Sequence, residues 1–256
     1  MRHDSVESGV ISSNHMKIFI DSANLVEIEE ALSRGFVQGV TTNPSLLSKE
    51  PKTSFETHVG KILDLINRYQ PGIHLSVEVF SRDPEEILKQ AEHFKKHFNY
   101  PNLSIKVQIG WNELVTIKKL SDNGISVNCT ACMSITQAIM AARAGAKYVS
   151  LFWGRIRDGG AESESVPLRE RKAFDYKDFD PAFVTKSVRA LLDVGSIPSE
   201  IIVGSIRSVM DVRDAALAGA HIVTVPPKFF QDMVSHFKTD QVVNQFLTDF
   251  SGWLAS

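Results

Sequence analysis

Hydrophobic and polar positions follow a repeated pattern along the chain. Short apolar or alternating runs are each followed by a stretch with apolar residues at helical spacing. The segment 102–109 shows the alternation most clearly, because its apolar residues fall on one face of a strand and Ser104, Lys106 and Gln108 fall on the other. A lysine in the middle of such a strand is unusual and needs an explanation.

The pattern predicts eight strands and nine helices. The strands are predicted at 17–21, 37–43, 74–80, 102–109, 126–131, 148–154, 200–206 and 221–225. The helices are predicted at 23–34, 55–69, 84–98, 111–122, 134–144, 181–194, 209–218, 229–237 and 241–255. Eight strands alternating with helices over this length are typical of an α/β fold, the (β/α)8 or TIM barrel, here with an extra C-terminal helix. A doubly wound open sheet is the alternative, and it is disfavoured because no Gly-x-Gly-x-x-Gly or P-loop pattern follows a strand.

The domain organisation follows from the same pattern. The chain has 256 residues, enough for one large core. Residues 1–16 are polar and lack the apolar region of a signal peptide, so we expect a disordered N-terminal extension before a single barrel domain at 17–256. The connection 157–180 is about twice as long as an ordinary loop after a strand and carries many charges of both signs. It is interpreted as a solvated surface insertion, with a lid or a subunit contact as the alternative.

Composition excludes several partner classes. Lys and Arg number 28 against 30 Asp and Glu, which gives no electrostatic reason to expect nucleic acid or an anionic membrane. No apolar run approaches the roughly 18–20 residues that span a bilayer. Cys129 and Cys132 form a C-x-x-C pair without a second pair to complete a zinc site, so we expect two buried, reduced thiols in a cytoplasmic protein.

Alternation also predicts which side chains face the barrel lumen. For strands one and three to seven the inward set is Lys17, Phe19, Asp21, Ser76, Glu78, Phe80, Ser104, Lys106, Gln108, Ser126, Asn128, Thr130, Tyr148, Ser150, Phe152, Val203, Ser205 and Arg207. Most of the polar members lie near the C-terminal ends of their strands, where such barrels build active sites. His74 and His221 begin their strands at the opposite end and are interpreted as structural.

The inward set suggests lysine chemistry. A buried, unpaired ammonium is costly and relieves that cost by losing its proton, which makes Lys106 a nucleophile towards carbonyl groups. Attack on a ketone gives an iminium, which draws electrons so that the adjacent C–C bond breaks, while Asp21 and Glu78 are available for the proton transfers. This chemistry needs no metal and no cofactor. The alternatives are an edge strand with Lys106 in solvent and a structural network in which Lys106 is salt-bridged to Glu78 or Asp21.

Two arginines after neighbouring strands suggest an anion site. Arg155 and Arg207, together with Ser205, follow strands six and seven, where barrels often bind phosphate through charge-assisted hydrogen bonds. The alternative is that both are ordinary surface arginines.

Several motifs together resemble a known family. They are Phe19-Ile20-Asp21-Ser22-Ala23, Gly39-Val40-Thr41-Thr42-Asn43-Pro44-Ser45-Leu46, Ile105-Lys106-Val107, Asn128-Cys129-Thr130, Ser150-x-Phe152-x-Gly154-Arg155-Ile156 and Gly204-Ser205-x-Arg207. With these motifs the sequence resembles transaldolases, specifically the small transaldolase / fructose-6-phosphate aldolase-like group, over residues 17–255. The resemblance implies a class I aldolase-like barrel that transfers a dihydroxyacetone unit, in carbohydrate metabolism of the pentose phosphate pathway type.

The resemblance also implies roles for individual residues. Lys106 is expected to be the Schiff-base lysine, Asp21 the acid/base for C–C cleavage, and Glu78 with Thr130 the pair that holds the catalytic water. Substrate-binding roles are implied for Thr42, Asn43, Asn128, Ser150, Phe152, Arg155, Ser205 and Arg207, the last three at the phosphate. The expected partners are a sugar phosphate and further copies of the chain, in a ring-like pentamer or decamer to which the C-terminal helix contributes.

Two positions bear on which reaction is expected. Aldolase-like members have Gln and Tyr where this sequence has Glu78 and Phe152, which favours a transaldolase over an aldolase that releases free dihydroxyacetone. Gln108, Leu151 and the 157–180 connection depart from the usual pattern and leave the donor and acceptor sugars open. A sulfonated ketose in place of a phosphorylated one is a further alternative, since both anions suit one pocket.

Overall fold

Eight parallel strands form a closed barrel in chain order. The computed structural model describes residues 16–163 and 165–255. The strands are β1 Lys17–Asp21, β2 Gly39–Thr41, β3 His74–Glu78, β4 Leu103–Gln108, β5 Val127–Cys132, β6 Tyr148–Phe152, β7 Glu200–Gly204 and β8 Ile222–Val225. Pairing of β1 with β8 completes the ring, which confirms the predicted (β/α)8 barrel and excludes an open sheet.

Helices surround the barrel and connect its strands. They are α1 Leu25–Ser33, α2 Pro44–Leu47, α3 Phe55–Tyr69, α4 Pro84–Phe98, α5 Trp111–Asp122, α6 Ile135–Arg143, α7 Trp153–Gly159, α8 Ser165–Glu170, α9 Pro181–Val194, α10 Val209–Leu217, α11 Phe230–Val234 and α12 Phe237–Leu254. Side-chain caps explain many of their starts; the Asp83 carboxylate, for example, accepts from the backbone N–H of Glu86 just before Pro84 begins α4.

The hydrophobic core is split between two regions, as a barrel requires. The larger region lies between the outward faces of the strands and the helices, and it includes the fully buried Ile105, Val107 and Val203. The smaller region fills the lumen near the N-terminal ends of the strands with Phe19, Tyr148, Ile202 and Ile222. This plug separates the C-terminal half of the lumen, where such barrels bind their ligands, from the N-terminal end.

A glycine in β2 makes room for the lumen plug. A Cβ built on Gly39 would lie 2.6 Å from the ring of Phe19, so no larger residue fits at this position without moving the ring. The Phe19 ring also stacks on His74 with a centroid distance of 5.0 Å.

Several predicted boundaries were wrong at the C-terminal ends of strands. The sixth strand stops at Phe152 and α7 begins at once, whereas the sequence pattern extended the strand to Gly154. The short helix α2 was also missed, because the second strand, predicted to extend through Asn43, in fact ends at Thr41, and Asn43 with Pro44 begins the helix. The predicted helix at 229–237 is shorter, since α11 ends at Val234.

The predicted lumen set is wrong on β7 and beyond the end of β3. Val203 belongs to the outer core, and Ile202 faces the lumen instead, so the parity chosen for β7 was wrong by one residue. Phe80 lies beyond the end of β3, is 48% exposed, and packs against Phe55 at 4.8 Å between ring centroids. Alternation no longer applies after a strand has ended.

The 157–180 connection contains local structure of its own. It includes the end of α7, α8 and a 3-10 turn at Tyr176–Phe179 that packs against α7 and α9. None of its described residues lines the cavity that opens at the C-terminal ends of the strands. This observation favours the surface insertion and does not support a lid.

The cysteine pair, the N-terminal extension and the membrane-span prediction remain to be compared with the structure. Cys129 and Cys132 are buried and free, as predicted, with their sulfurs 3.9 Å apart. The proposed N-terminal extension, apart from Met16, lies outside the described residues. Among residues 16–163 and 165–255, no helix combines the length and apolarity needed to cross a membrane.

Candidate active site

A cavity of about 470 Å³ opens at the C-terminal ends of the strands. Its walls are formed by Asp21, Thr41, Asn43, Pro44, Ser45, Leu46, Glu78, Lys106, Asn128, Thr130, Ala131, Ser150, Phe152, Arg155, Ile202, Gly204, Ser205 and Thr224. All eight strands or the segments directly after them contribute. The volume suits a small-molecule ligand such as a sugar derivative.

Lys106 lies at the base of this cavity. It is 5% exposed, so the interpretation as a solvent-facing edge residue is wrong. Its Nζ is 3.0 Å from a carboxylate oxygen of Glu78 and donates to the backbone carbonyl of Thr42 at 2.8 Å. The ion pair of the structural alternative is therefore present, but the pair lines an open cavity and is not sealed in a core.

Asp21 approaches the same cavity from β1. Its Oδ1 accepts from the Thr41 hydroxyl at 2.9 Å, and the Thr41 and Thr224 hydroxyl oxygens are 2.6 Å apart. Because the single Thr41 proton goes to Asp21, Thr224 must be the donor to Thr41. Burial raises the pKa of the Asp21 carboxyl, and the charge of Lys106 and the Thr41 hydrogen bond oppose this effect only partly.

Asn128 and Ser150 form an adjoining hydrogen-bonded pair. The Ser150 hydroxyl donates to Oδ1 of Asn128 at 2.7 Å, and Nδ2 of Asn128 donates to the hydroxyl of Ser76 at 3.1 Å. Both cavity-lining side chains are buried, and the register pairs Asn128 directly with Lys106. They thus lie beside the lysine with their orientation fixed.

An irregularity in β5 shapes the wall beyond Asn128. The register with β6 shifts between Cys129 and Cys132, and Ala131 adopts a φ of 60°, which costs an alanine about 1–2 kcal/mol. Thr130 and Ala131 consequently both line the cavity. The buried Thr130 hydroxyl has no hydrogen-bond partner in the described part of the chain, so it is available to a ligand or a water.

Of the neighbouring residues Thr42 and Asn43, only Asn43 lines the cavity. Asn43 lines the cavity, and its Oδ1 accepts from the N–H of Leu46 at 3.0 Å, which leaves the amide nitrogen for a ligand. Thr42 is fully buried outside the cavity wall. It contributes its backbone carbonyl to Lys106, so the expected side-chain contact with substrate is not supported.

The expected anion site is only partly assembled. Arg155 lines the cavity mouth, as does Ser205, whose φ of 59° turns it inwards after β7 has ended. Arg207 does not line the cavity, since its two terminal nitrogens donate to Asp158 at 2.7 and 2.5 Å. The hydrogen bond from Arg207 lowers the pKa of the Asp158 carboxyl, with partial burial opposing and Arg155 adding to the effect.

Gly154 allows Arg207 and the Ser205 carbonyl to lie close to the start of α7. A Cβ at this position would be 2.5 Å from Nε of Arg207 and 2.7 Å from the Ser205 carbonyl. The backbone N–H of Gly154 also donates to that carbonyl at 3.1 Å. The loops after β6 and β7 are thus held together where the cavity opens.

Sequence reasoning missed two hydroxyls in the cavity. Thr41 and Thr224 lie on β2 and β8, the two strands to which alternation was not applied. Starting from Gly39, whose position faces Phe19, the same rule places Thr41 inwards. Pro44, Ser45 and Leu46 were missed with α2, and Ala131 with the β5 irregularity.

Gln108 and Leu151, which depart from the usual family pattern, both lie outside the cavity. Gln108 donates to the Ser81 carbonyl at 2.9 Å and ties β4 to the loop after β3. Leu151 is fully buried in the outer core. Neither lines the cavity, so neither contacts a ligand bound there.

The arrangement supports carbonyl chemistry at Lys106. An amine, two carboxylates and six hydroxyl-bearing residues line one small cavity, and Arg155 places a cation at its mouth. In the described part of the chain, no three His, Cys, Asp or Glu side chains cluster so as to hold a metal ion. His221 lies at the other end of the barrel, where Nδ1 accepts from the N–H of Ile201 at 2.9 Å, a structural role as expected.

Comparisons with known proteins agree with this geometry. A model of the transaldolase/fructose-6-phosphate aldolase family matches residues 18–253. The chain is 38% identical over 237 residues to a probable transaldolase of Alkaliphilus metalliredigens strain QYMF, an alignment that covers 93% of this chain and 99% of the relative. It is 37% identical to probable transaldolases of Caulobacter sp. strain K31 and Geobacillus sp. strain WCH70, which are covered to 97% and 99%.

Proposed function

The chain belongs to the transaldolase/fructose-6-phosphate aldolase family, and from this premise we propose that it is a transaldolase that works through a Schiff base on Lys106. The proposed reaction moves a dihydroxyacetone unit from a ketose phosphate, of the fructose 6-phosphate or sedoheptulose 7-phosphate type, to an aldehyde phosphate. The single observation that carries the proposal is the buried Lys106 ammonium, 3.0 Å from Glu78 at the base of an open cavity.

Formation of the Schiff base is assigned to Lys106, Glu78 and Thr130. The unprotonated amine attacks the ketone carbon, a proton reaches the carbonyl oxygen, and the carbinolamine then expels water to give an iminium. Glu78 accepts the proton that Lys106 must lose and returns it to the departing hydroxyl. The unpartnered Thr130 hydroxyl supports a role in holding the water that leaves and later returns for hydrolysis.

Cleavage of the C–C bond is assigned to Asp21. Its carboxylate removes the proton from the hydroxyl two carbons from the iminium carbon, the C–O bond becomes a carbonyl, and the electrons of the broken bond form an enamine. A raised pKa makes Asp21 a stronger base than an exposed aspartate. The aldehyde product leaves, an acceptor aldehyde enters, and the steps run in reverse.

Substrate binding is assigned to the polar walls and the cavity mouth. Asn43, Asn128 and Ser150 are proposed to bind the hydroxyls of the three-carbon unit beside Lys106, with Phe152 along one side. Arg155 and Ser205 are proposed to bind the distal anion. Arg207 would join them only by exchanging its bond to Asp158 for one to the substrate.

Glu78 and Phe152 support transfer rather than release of the three-carbon unit, because aldolase-like members are expected to have Gln and Tyr there. An aldolase would release free dihydroxyacetone with no acceptor present. The assay therefore compares fructose 6-phosphate alone with fructose 6-phosphate plus erythrose 4-phosphate. Turnover that requires the acceptor supports the proposal, and equal turnover without it would favour the aldolase.

The same assay tests whether Lys106 is essential and which anion the cavity mouth accepts. We expect Lys106→Met to abolish turnover, while Lys119→Met, an exposed lysine on α5, serves as the matched control. Undiminished turnover of Lys106→Met would refute the proposal. A sulfonated ketose used as donor in parallel tests whether the anion site accepts sulfonate in place of phosphate.

The proposal extends to a homo-oligomer in the cytoplasm. Helix α12 is exposed along its whole length and presents Val242, Val243, Phe246, Leu247, Phe250, Trp253 and Leu254. An apolar face of this size supports burial against another copy of the chain. Light scattering of the full chain would give a pentamer or decamer, whereas a monomer would refute this part. The two free cysteines support a reducing compartment.

A further inference from the structure

A buried hydrogen-bonded chain connects the cavity to the opposite end of the barrel. It starts at Ser150, passes through Asn128 and Ser76, and ends at His74, which opens β3. The donor–acceptor distances along it are 2.7 Å from Ser150 Oγ to Asn128 Oδ1, 3.1 Å from Asn128 Nδ2 to Ser76 Oγ, and 2.6 Å from Ser76 Oγ to His74 Nε2. Ser76 and His74 do not line the cavity, so they reach a ligand only through Asn128.

Two arrangements of the protons give every donor in this chain, including the Ser76 hydroxyl, an acceptor within it. In the first, Asn128 Nδ2 donates to Ser76, and Ser76 donates to Nε2 of His74. In the second, a protonated Nε2 donates to Ser76, Ser76 donates to the Asn128 carbonyl oxygen, and the amide is rotated by half a turn. When the Ser76 hydroxyl donates within the chain, the protonation of Nε2 therefore determines which end of the Asn128 amide faces Ser76 and which faces Ser150.

The surroundings of His74 keep its ring neutral, so Nε2 is able to accept a hydrogen bond from Ser76, as the orientation of the Asn128 amide in the structure requires. The imidazole is buried between the stacked ring of Phe19 and the edge-on ring of Tyr148, at centroid distances of 5.0 and 4.8 Å. Burial lowers its pKa from 6.5 to about 3, with the charges of Lys147 and Lys17 adding to the effect. The ring is consequently neutral at physiological pH, and one of its nitrogens is a hydrogen-bond acceptor.

We propose that His74 is a positioning residue, whose unprotonated Nε2 accepts from Ser76 and thereby fixes the Asn128 amide beside Lys106. In that orientation Oδ1 is occupied by the Ser150 hydroxyl, and one N–H of Nδ2 is free to donate to the donor sugar. The rotated amide would present an acceptor there. The inference rests on the proposed function, because it gives Asn128 a ligand to bind.

Two variants of His74 distinguish the effect of its hydrogen bond with Ser76 from the effect of its packing. His74→Gln keeps an acceptor at the position of Nε2, whereas His74→Met has a similar size and shape but offers none. We expect His74→Gln to stay within about 3-fold of the wild type in kcat/KM for the donor. His74→Met is expected to lose about 10–100-fold, mainly through a higher donor KM, because the Asn128 amide loses its fixed orientation. Equal losses in both variants, or none in His74→Met, would overturn the proposal.

The 15N chemical shifts of the His74 ring in the wild type test the proton arrangement directly. We expect an unprotonated Nε2 and a protonated Nδ1, and a protonated Nε2 would overturn the proposal even if the Met variant fails to fold. Borohydride trapping of the wild type with fructose 6-phosphate separates the two proposals. Absence of trapping counts against the proposed function. If the wild type is trapped and active, and His74→Met has the same kcat/KM as the wild type, only the inference about His74 is contradicted.

Discussion

Glu78 and Lys106 are register partners on β3 and β4, and their charged groups are 3.0 Å apart at the base of the cavity. Both side chains project inwards because parallel partners in a barrel share the same parity. Their side chains are 19% and 7% exposed, so both charged groups have little access to bulk water. A carboxylate this close to the amine is placed to act as the base in the proposed Schiff-base formation.

Glu78→Gln tests this proton exchange. The amide keeps the shape of the side chain but cannot accept the proton of Lys106, so we expect kcat to fall about 10²–10⁴-fold. Glu85→Gln, on the exposed face of α4, is the control. Rapid-quench trapping should show slower formation of the covalent adduct. Wild-type rates of adduct formation in Glu78→Gln would contradict the assigned role.

Asp21→Asn should raise stability while it removes activity. The pKa of Asp21 is higher in the folded protein than in the unfolded chain, so the folded state holds this proton more tightly. Stability contributed by Asp21 is therefore lost as pH rises from about 3.9 through the folded pKa, and it stays lost at neutral pH. We expect a higher Tm for Asp21→Asn at neutral pH, a gain that shrinks to zero in acid, and at least ~10²-fold lower kcat.

Thermal unfolding of the wild type and Asp21→Asn across this pH range checks the sign. A variant that is less stable than the wild type at neutral pH would show that Asp21 stabilises the fold as a carboxylate. In that case the raised pKa would not explain its basicity.

Thr224→Val should weaken the hydrogen bond that the Asp21 carboxylate accepts from Thr41. Thr224 donates to Thr41, and Thr41 donates to Asp21. Without the Thr224 hydroxyl, the Thr41 hydroxyl is less polarised and forms a weaker hydrogen bond to the Asp21 carboxylate. We expect about 1 kcal/mol lower stability and a shift of the acidic limb of the kcat profile to higher pH. Thr224→Ser keeps the hydroxyl and is the matched control. An unmoved acidic limb in the Val variant would separate Thr224 from the chemistry.

Arg155→Met tests the anion site at the cavity mouth. Loss of a charge-assisted contact costs about 1.5–3 kcal/mol, so we expect a roughly 10–100-fold higher KM for fructose 6-phosphate. Turnover of unphosphorylated fructose should change little, and this substrate is the control. If both donors are affected equally, Arg155 does not bind the phosphate.

Most of the fold could be predicted because its signals are local. Alternation located Lys106, Glu78 and Asn128 on the inner face of the barrel, and register then brought the first two together. The number of strand–helix units favoured closure, but only the pairing of β1 with β8 establishes it.

The rest depends on backbone geometry that periodicity does not describe. Ala131 and Ser205 line the cavity in left-handed conformations, and alternation cannot predict where a residue points after such a turn. The Val203 error arose because Ser205 was assumed to continue β7. The bond between Arg207 and Asp158 joins residues far apart in sequence, so no motif around Arg207 predicts it.

The most direct test of the central claim is mass spectrometry of protein reduced with borohydride in the presence of fructose 6-phosphate. The proposed mechanism predicts a covalent three-carbon adduct on the peptide that contains Lys106, and none on Lys106→Met. An active wild-type protein without an adduct, or with its adduct on another lysine, would contradict it.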